Sequence, residues 1–173
     1  MAVRQFLTIV NGVMQRVNAI ISSAGAGDAN KVIATGADGR IDQSLMPVGI
    51  GADTLTVLAS ENLAAGDFVN IHDVTGSARA RKASAADATK PAQGFVLNSV
   101  TSGASATVYF EGSNTALTGL TIGAAYILSP STPGVAVVAT TALTAGQVYQ
   151  PLGTAVGATS MATEIEPPIT MVA

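Results

Sequence analysis

The segment Val3-Arg-Gln-Phe-Leu-Thr-Ile-Val-Asn-Gly-Val-Met-Gln-Arg-Val-Asn-Ala-Ile-Ile-Ser-Ser-Ala24 opens the chain with a dense apolar pattern. Laid on a heptad, Val3, Phe6, Val10, Val13, Val17, Ile20 and Ala24 fall alternately on a and d without a slip. Leu7, Met14 and Ile21 widen the stripe on e, and the b, c and f positions hold polar or small residues. A 4-3-4-3 spacing of this kind predicts an amphipathic helix over residues 1–24 that packs along another helix.

Such a helix spans roughly 30 Å. Burial of its large a/d side chains contributes on the order of 10 kcal/mol per chain as an upper bound. Alone in water it is marginal, because Gly12 and the valines oppose it. The stripe therefore needs a cover. Copies of the same helix are the natural one, and β-branched residues at both a and d favour three or four strands over two. The expected seam is Val3, Phe6, Val10, Val13, Val17 and Ile20; a helix packed on its own chain is the plainer alternative. A secretory leader does not fit, since Asn11, Gln15, Arg16 and Asn18 interrupt the apolar run.

Outward from this segment, residues 25–53 read as an extended hairpin connector. Gly25 and Gly27 end the helix, Lys31 to Thr35 and Arg40 to Asp42 read as short strands, and Ala37-Asp38-Gly39 reads as the turn between them. Pro47, Gly49 and Gly51 close the connector. From Thr54 the period becomes two. Thr54–Ala59, Asp67–His72, Ser77–Ala83, Gly94–Val100, Ala106–Glu111, Ala125–Ser129, Gly134–Ala139, Val148–Gly153 and Ile169–Val172 read as strands separated by turn residues. That spacing predicts a small β-sandwich or barrel over 54–173 and a mainly β protein. Leu63-Ala-Ala-Gly66, Leu120-Thr-Ile-Gly123 and Leu143-Thr-Ala-Gly146 each lead into an apolar strand and read as recurring corners, too unevenly spaced for a repeat architecture.

Composition narrows the function classes. The 173 residues contain no cysteine, so thiol chemistry, thiolate metal sites and disulfides are excluded. Charged residues are 11% against 48% hydrophobic, and from Pro91 to Thr163 the only one is Glu111. About two-fifths of a chain this poor in charge points to surfaces that face neighbours. The net charge of -3 argues against a nucleic-acid binder. No apolar run is long enough for a membrane helix.

Catalytic and metal motifs are wanting. Any Ser-His or Cys-His arrangement must use His72, the sole histidine, which lies at a strand end without a nucleophile elbow. Asp28, Asp38, Asp42 and Asp53 cluster in the connector but lack the alternating ligands and distal Glu of a calcium loop, so turn and cap duty is expected. No glycine-rich stretch is followed by Gly-Lys-Ser/Thr. The one basic cluster is Arg79, Arg81 and Lys82; alternation with alanines puts both arginines on one strand face, either solvated or set against an acidic partner. Neither an enzyme, a cofactor nor a metal is expected.

The connector with Lys31-Val-Ile-Ala-Thr and Asp38-Gly-Arg-Ile-Asp-Gln-Ser-Leu-Met-Pro47 resembles a segment of tailed-bacteriophage structural proteins. Arg79-Ala-Arg-Lys-Ala-Ser-Ala, Lys90-Pro-Ala-Gln-Gly-Phe-Val-Leu and Leu143-Thr-Ala-Gly-Gln-Val-Tyr-Gln-Pro-Leu-Gly-Thr-Ala-Val-Gly resemble the β domain of phage head-decoration and head-fibre proteins. The resemblance covers most of residues 30–157. It implies a virion protein, trimeric, that decorates or cements the outer capsid surface, with itself and the major capsid protein as partners. It implies assembly in the bacterial cytoplasm, which cysteine absence suits. A tail-fibre or baseplate subunit, or a glycan-binding β module on the virion, are the alternatives; aromatics at 4% are thin for glycan.

Overall fold

The computed structural model describes residues 5–47 and 53–172. The chain divides into two compact units, Met1–Gly51 and Ala52–Ala173. Both are β-rich, and the only helical turns among the described residues are two 3-10 turns at Ala26–Asp28 and Gln43–Leu45.

The first unit corrects the helix expected over residues 1–24. Gln5–Val10 (β1) and Val13–Asn18 (β2) form an antiparallel hairpin whose register pairs Phe6 with Val17, Thr8 with Gln15 and Val10 with Val13. Its two-residue turn is Asn11-Gly12, with φ of 51° and 77°. Positive φ at both central residues is the geometry whose twist matches paired strands, and Asn-Gly is the dipeptide that adopts it at least cost. The heptad spacing survives in another form. Positions 6, 10, 13 and 17 are symmetric about the turn, so a 4-3-4 pattern equally describes one face of a two-residue hairpin. β-branched residues then decide for strand over helix.

Of the expected seam, Phe6, Val13 and Val17 share a hairpin face, and Val10 stands opposite Val13 in the register. Ile20 leaves the set: it bridges Ile33 in parallel, and its backbone bonds to Val32 and Ala34. Val3, like Gly49 and Gly51 of the connector, lies outside the described residues. The expected connector strands reduce to that single bridge, although the turn at Ala37-Asp38-Gly39 forms, with the Gly36 N–H donating to the Arg40 carbonyl at 2.8 Å.

In the second unit Thr54–Ala59 (β3), Phe68–Val74 (β4), Ser77–Lys82 (β5), Gly94–Phe95 (β6) and Ser105–Tyr109 (β7) close a barrel in the order β3-β5-β4-β6-β7. Only the β3–β5 contact is parallel. A five-stranded barrel is narrow, and alanines at 59, 80 and 106 line its interior with Leu63, Val69, Val96 and Val108. Strand alternation sends Phe68 and Phe95 the other way, into a larger core with Tyr126, Leu128, Leu152 and Met161.

That core is roofed by a second sheet. Gly112–Asn114 (β8), Ala125–Leu128 (β9), Ala136–Val138 (β10), Pro151–Gly157 (β12) and Ser160–Thr163 (β13) run in the order β10-β9-β12-β13-β8. Val148–Tyr149 (β11) pairs separately with Ile169–Thr170 (β14). The three Leu-x-x-Gly corners are one structure repeated. Gly66, Gly123 and Gly146 have φ of 89°, 81° and 86°, and the next residue's N–H closes the turn onto Ala64, Thr121 and Thr144. Each glycine N–H also donates to a neighbouring segment, at Val96, Ala155 and Met171. Only a residue tolerating positive φ can turn here while docking its own N–H.

Candidate functional site

Two surfaces stand out, one on each unit. On the hairpin, alternation puts Phe6, Val13 and Val17 on one face and Leu7, Ile9 and Met14 on the other. Leu7, Ile9 and Met14 are 67%, 70% and 67% exposed. Among the described residues of the first unit only Ala34 is buried. A two-stranded ribbon is marginal by itself in water, and this one carries apolar side chains on both faces and pairs with no third strand among the described residues.

On the second unit the basic cluster sits as the alternation predicts. Arg79 and Arg81 share the outer face of β5, opposite His72 and Asn70 of β4, while Ala80 between them is fully buried in the barrel. The three cations differ in state. Lys82 pairs with Asp67 at 3.1 Å, and Asp67 also accepts the Ala64 N–H. Arg81 is held by neutral acceptors: its Nε donates to Asn70 Oδ1 at 2.9 Å and its Nη2 to the Thr89 carbonyl at 3.0 Å. Asn70 in turn donates to the Pro91 carbonyl and Gln93 Oε1, so the guanidinium is fixed from behind. Neither arginine has a carboxylate within 4 Å among the described residues.

The loop after β5 completes this surface. Gln150, buried between strands, exchanges hydrogen bonds with both the N–H and the carbonyl of Ala92, anchoring the loop to the second sheet. Within the loop Asp87 accepts from the Thr89 N–H and hydroxyl and pairs with Lys90 at 3.1 Å. Those hydrogen bonds from Thr89, with the Lys90 ammonium, hold its carboxyl down at about 2. A cavity of about 300 Å³ results, lined by Ser60, Glu61, Arg81, Lys82, Ser84 and Lys90 among others.

Sequence reading missed Ser60, Glu61, Ser84 and Lys90 as parts of this place. Ser60 and Glu61 arrive because β3 pairs with β5 across the chain order, which no local pattern reports. It also missed that the Ser60 hydroxyl lies 3.2 Å from His72 Nε2. Among the described residues neither the buried His72 Nδ1 nor the buried Arg79 Nε has a hydrogen-bond partner. A Ser–His pair whose second ring nitrogen no carboxylate orients lacks the third group of a hydrolytic triad. The pair braces β3 against β4.

Burial, then the Arg81 charge, pushes the His72 pKa below its ordinary 6.5. The folded chain therefore favours the neutral ring. On acidification the unfolded chain protonates first, so this contribution is whole above pH 6.5 and shrinks as pH falls below it. The urea midpoint is expected to fall between pH 7 and pH 5.5, and less so in His72→Gln. An equal fall in both would assign the effect elsewhere.

Three of the four connector aspartates do turn and cap work. Asp28 accepts the Ala24 N–H and pairs with Lys31 at 2.6 Å; Asp38 accepts the Arg40 N–H; Asp42 accepts the Ser44 N–H and hydroxyl. These bonds lower the Asp28 and Asp42 pKa values. The Asp53 backbone carbonyl accepts the Phe110 N–H at 3.0 Å. Among the described residues no three His, Cys, Asp or Glu side chains gather as metal ligands. No family model, curated protein or solved structure matches the chain.

Proposed function

We propose that the chain is a non-enzymatic structural subunit of a tailed-bacteriophage particle, decorating or cementing the outer capsid surface as a symmetric trimer. The observation that carries this is the first unit, with apolar side chains on both faces of its hairpin and Ala34 alone buried among its described residues. Such a unit is stable only in an assembly, where its exposed face is removed from water. The charge-poor stretch from Pro91 to Thr163 supports it, since a surface wetted mainly by Ser, Thr and Asn suits close neighbours.

The partners in this reading are further copies of the chain and the major capsid protein, and neither cofactor nor metal takes part. The trimer and the capsid location rest on the sequence resemblance, since the coiled-coil case for three strands went with the helix. Added buried area at capsomer junctions would stabilise the shell by mass action on the assembled state. The test is co-sedimentation of the purified chain with undecorated heads and, separately, with tails of the same phage. Saturable binding to heads alone is expected. Binding to tails alone would move the protein to the fibre or baseplate, and binding to neither would remove the particle reading.

A further inference from the structure

All the positive charge of the second unit lies on one strand and the loop after it: Arg79, Arg81, Lys82 and Lys90 are its only Lys and Arg. Three of these four line the 300 Å³ cavity. Their charges are not equally free. Asp67 compensates Lys82 and Asp87 compensates Lys90. Among the described residues Arg81 has neutral partners alone, Asn70 and the Thr89 carbonyl, which use two of its five N–H groups and leave three. A planar guanidinium held along one edge by neutral acceptors, in a cavity that Ser60 and Ser84 also line, keeps free donors suited to a carboxylate.

We infer that this cavity is an anion site that takes one carboxylate side chain from an acidic segment of the protein surface on which the subunit docks. The inference rests on the proposed reading, in which the β unit lies against another protein, and names the chemistry of that contact. The size and charge of the site set its ligand. About 300 Å³ is the lower end of ligand sites, room for a side chain rather than a large molecule. Glu61 stands at the rim, its Oε1 accepting the Lys82 N–H, and its charge disfavours a second negative charge nearby. A monoanionic carboxylate fits this balance, and a dianionic phosphate does not.

The test is a titration of the intact chain with tetraglutamate, with tetraglutamine and with inorganic phosphate, followed through the backbone amides of Arg81, Lys82 and Ser84 by NMR. Saturable shifts with tetraglutamate and none with tetraglutamine are expected. Arg81→Gln should weaken that binding about tenfold, with Lys31→Gln of the first unit unchanged. Should Arg81→Gln fail to fold, Glu61→Gln serves instead, because it keeps the acceptor for the Lys82 N–H and removes the rim charge. It is expected to tighten binding about threefold. Absence of saturable shifts, an unchanged affinity in the variant used, or phosphate binding tighter than the peptide would each overturn the inference. No particle enters this experiment, so its failure is separate from failure of the capsid reading.

Discussion

Replacing Phe68 by alanine is expected to cost about 3–5 kcal/mol of unfolding free energy, the range for a fully buried phenylalanine. Phe68 has no exposed surface and packs with Phe95 at 6.2 Å between ring centroids. It also belongs to the core that joins the barrel wall to the second sheet, with Leu128, Leu152 and Met161. Truncation leaves a void where two sheets meet, and neither can collapse into it without breaking its own register. Against a total of about 5–15 kcal/mol, the loss is a large share. A denaturant titration of the intact chain should show a lower midpoint with the slope kept. Phe6→Ala, on the exposed hairpin, should leave that transition in place.

The second large effect is on assembly. Leu7, Ile9 and Met14 share a hairpin face and are each about two-thirds exposed. Full burial of such side chains contributes about 2 kcal/mol each, so covering what is exposed contributes about 4 kcal/mol per chain. The triple substitution Leu7→Ser, Ile9→Ser, Met14→Ser should therefore weaken self-association about a thousandfold or more. Circular dichroism of the second unit should not change, because those residues belong to the other compact unit. An oligomer that survives the triple variant would place the seam elsewhere.

What the sequence made legible follows from which physical signals are local. Strand β3 is found residue for residue at Thr54–Ala59, because alternation bounded by turn residues is a local property. The glycine corners are equally local, and all three form. Strand β8 was missed, since Gly-Ser-Asn carries no β-propensity and pairs only because Met161 and its neighbours reach it. The cavity around Arg81 was half legible. Alternation gave the shared face of Arg79 and Arg81, whereas Ser60, Glu61 and Lys90 arrive through strand order and a loop anchored by Gln150.

The hairpin was misread for an instructive reason. A 4-3-4 apolar spacing does not distinguish a heptad stripe from strands mirrored about a two-residue turn. Three residues break the tie. Asn11-Gly12 is costly inside a helix and favourable in a type I′ turn. Ile9 falls on heptad position g, off the stripe, yet finds a place opposite Met14 in the hairpin. Weighed together they outvote the heptad, and the face that the proposed assembly would cover becomes Leu7, Ile9 and Met14 in place of the expected seam.

Sedimentation velocity of the intact chain at micromolar concentration measures that cover most directly. A species of about 52 kDa, three chains of 17.2 kDa, is expected. A sharp, stable 17.2 kDa monomer with its hairpin amides protected from exchange would contradict it.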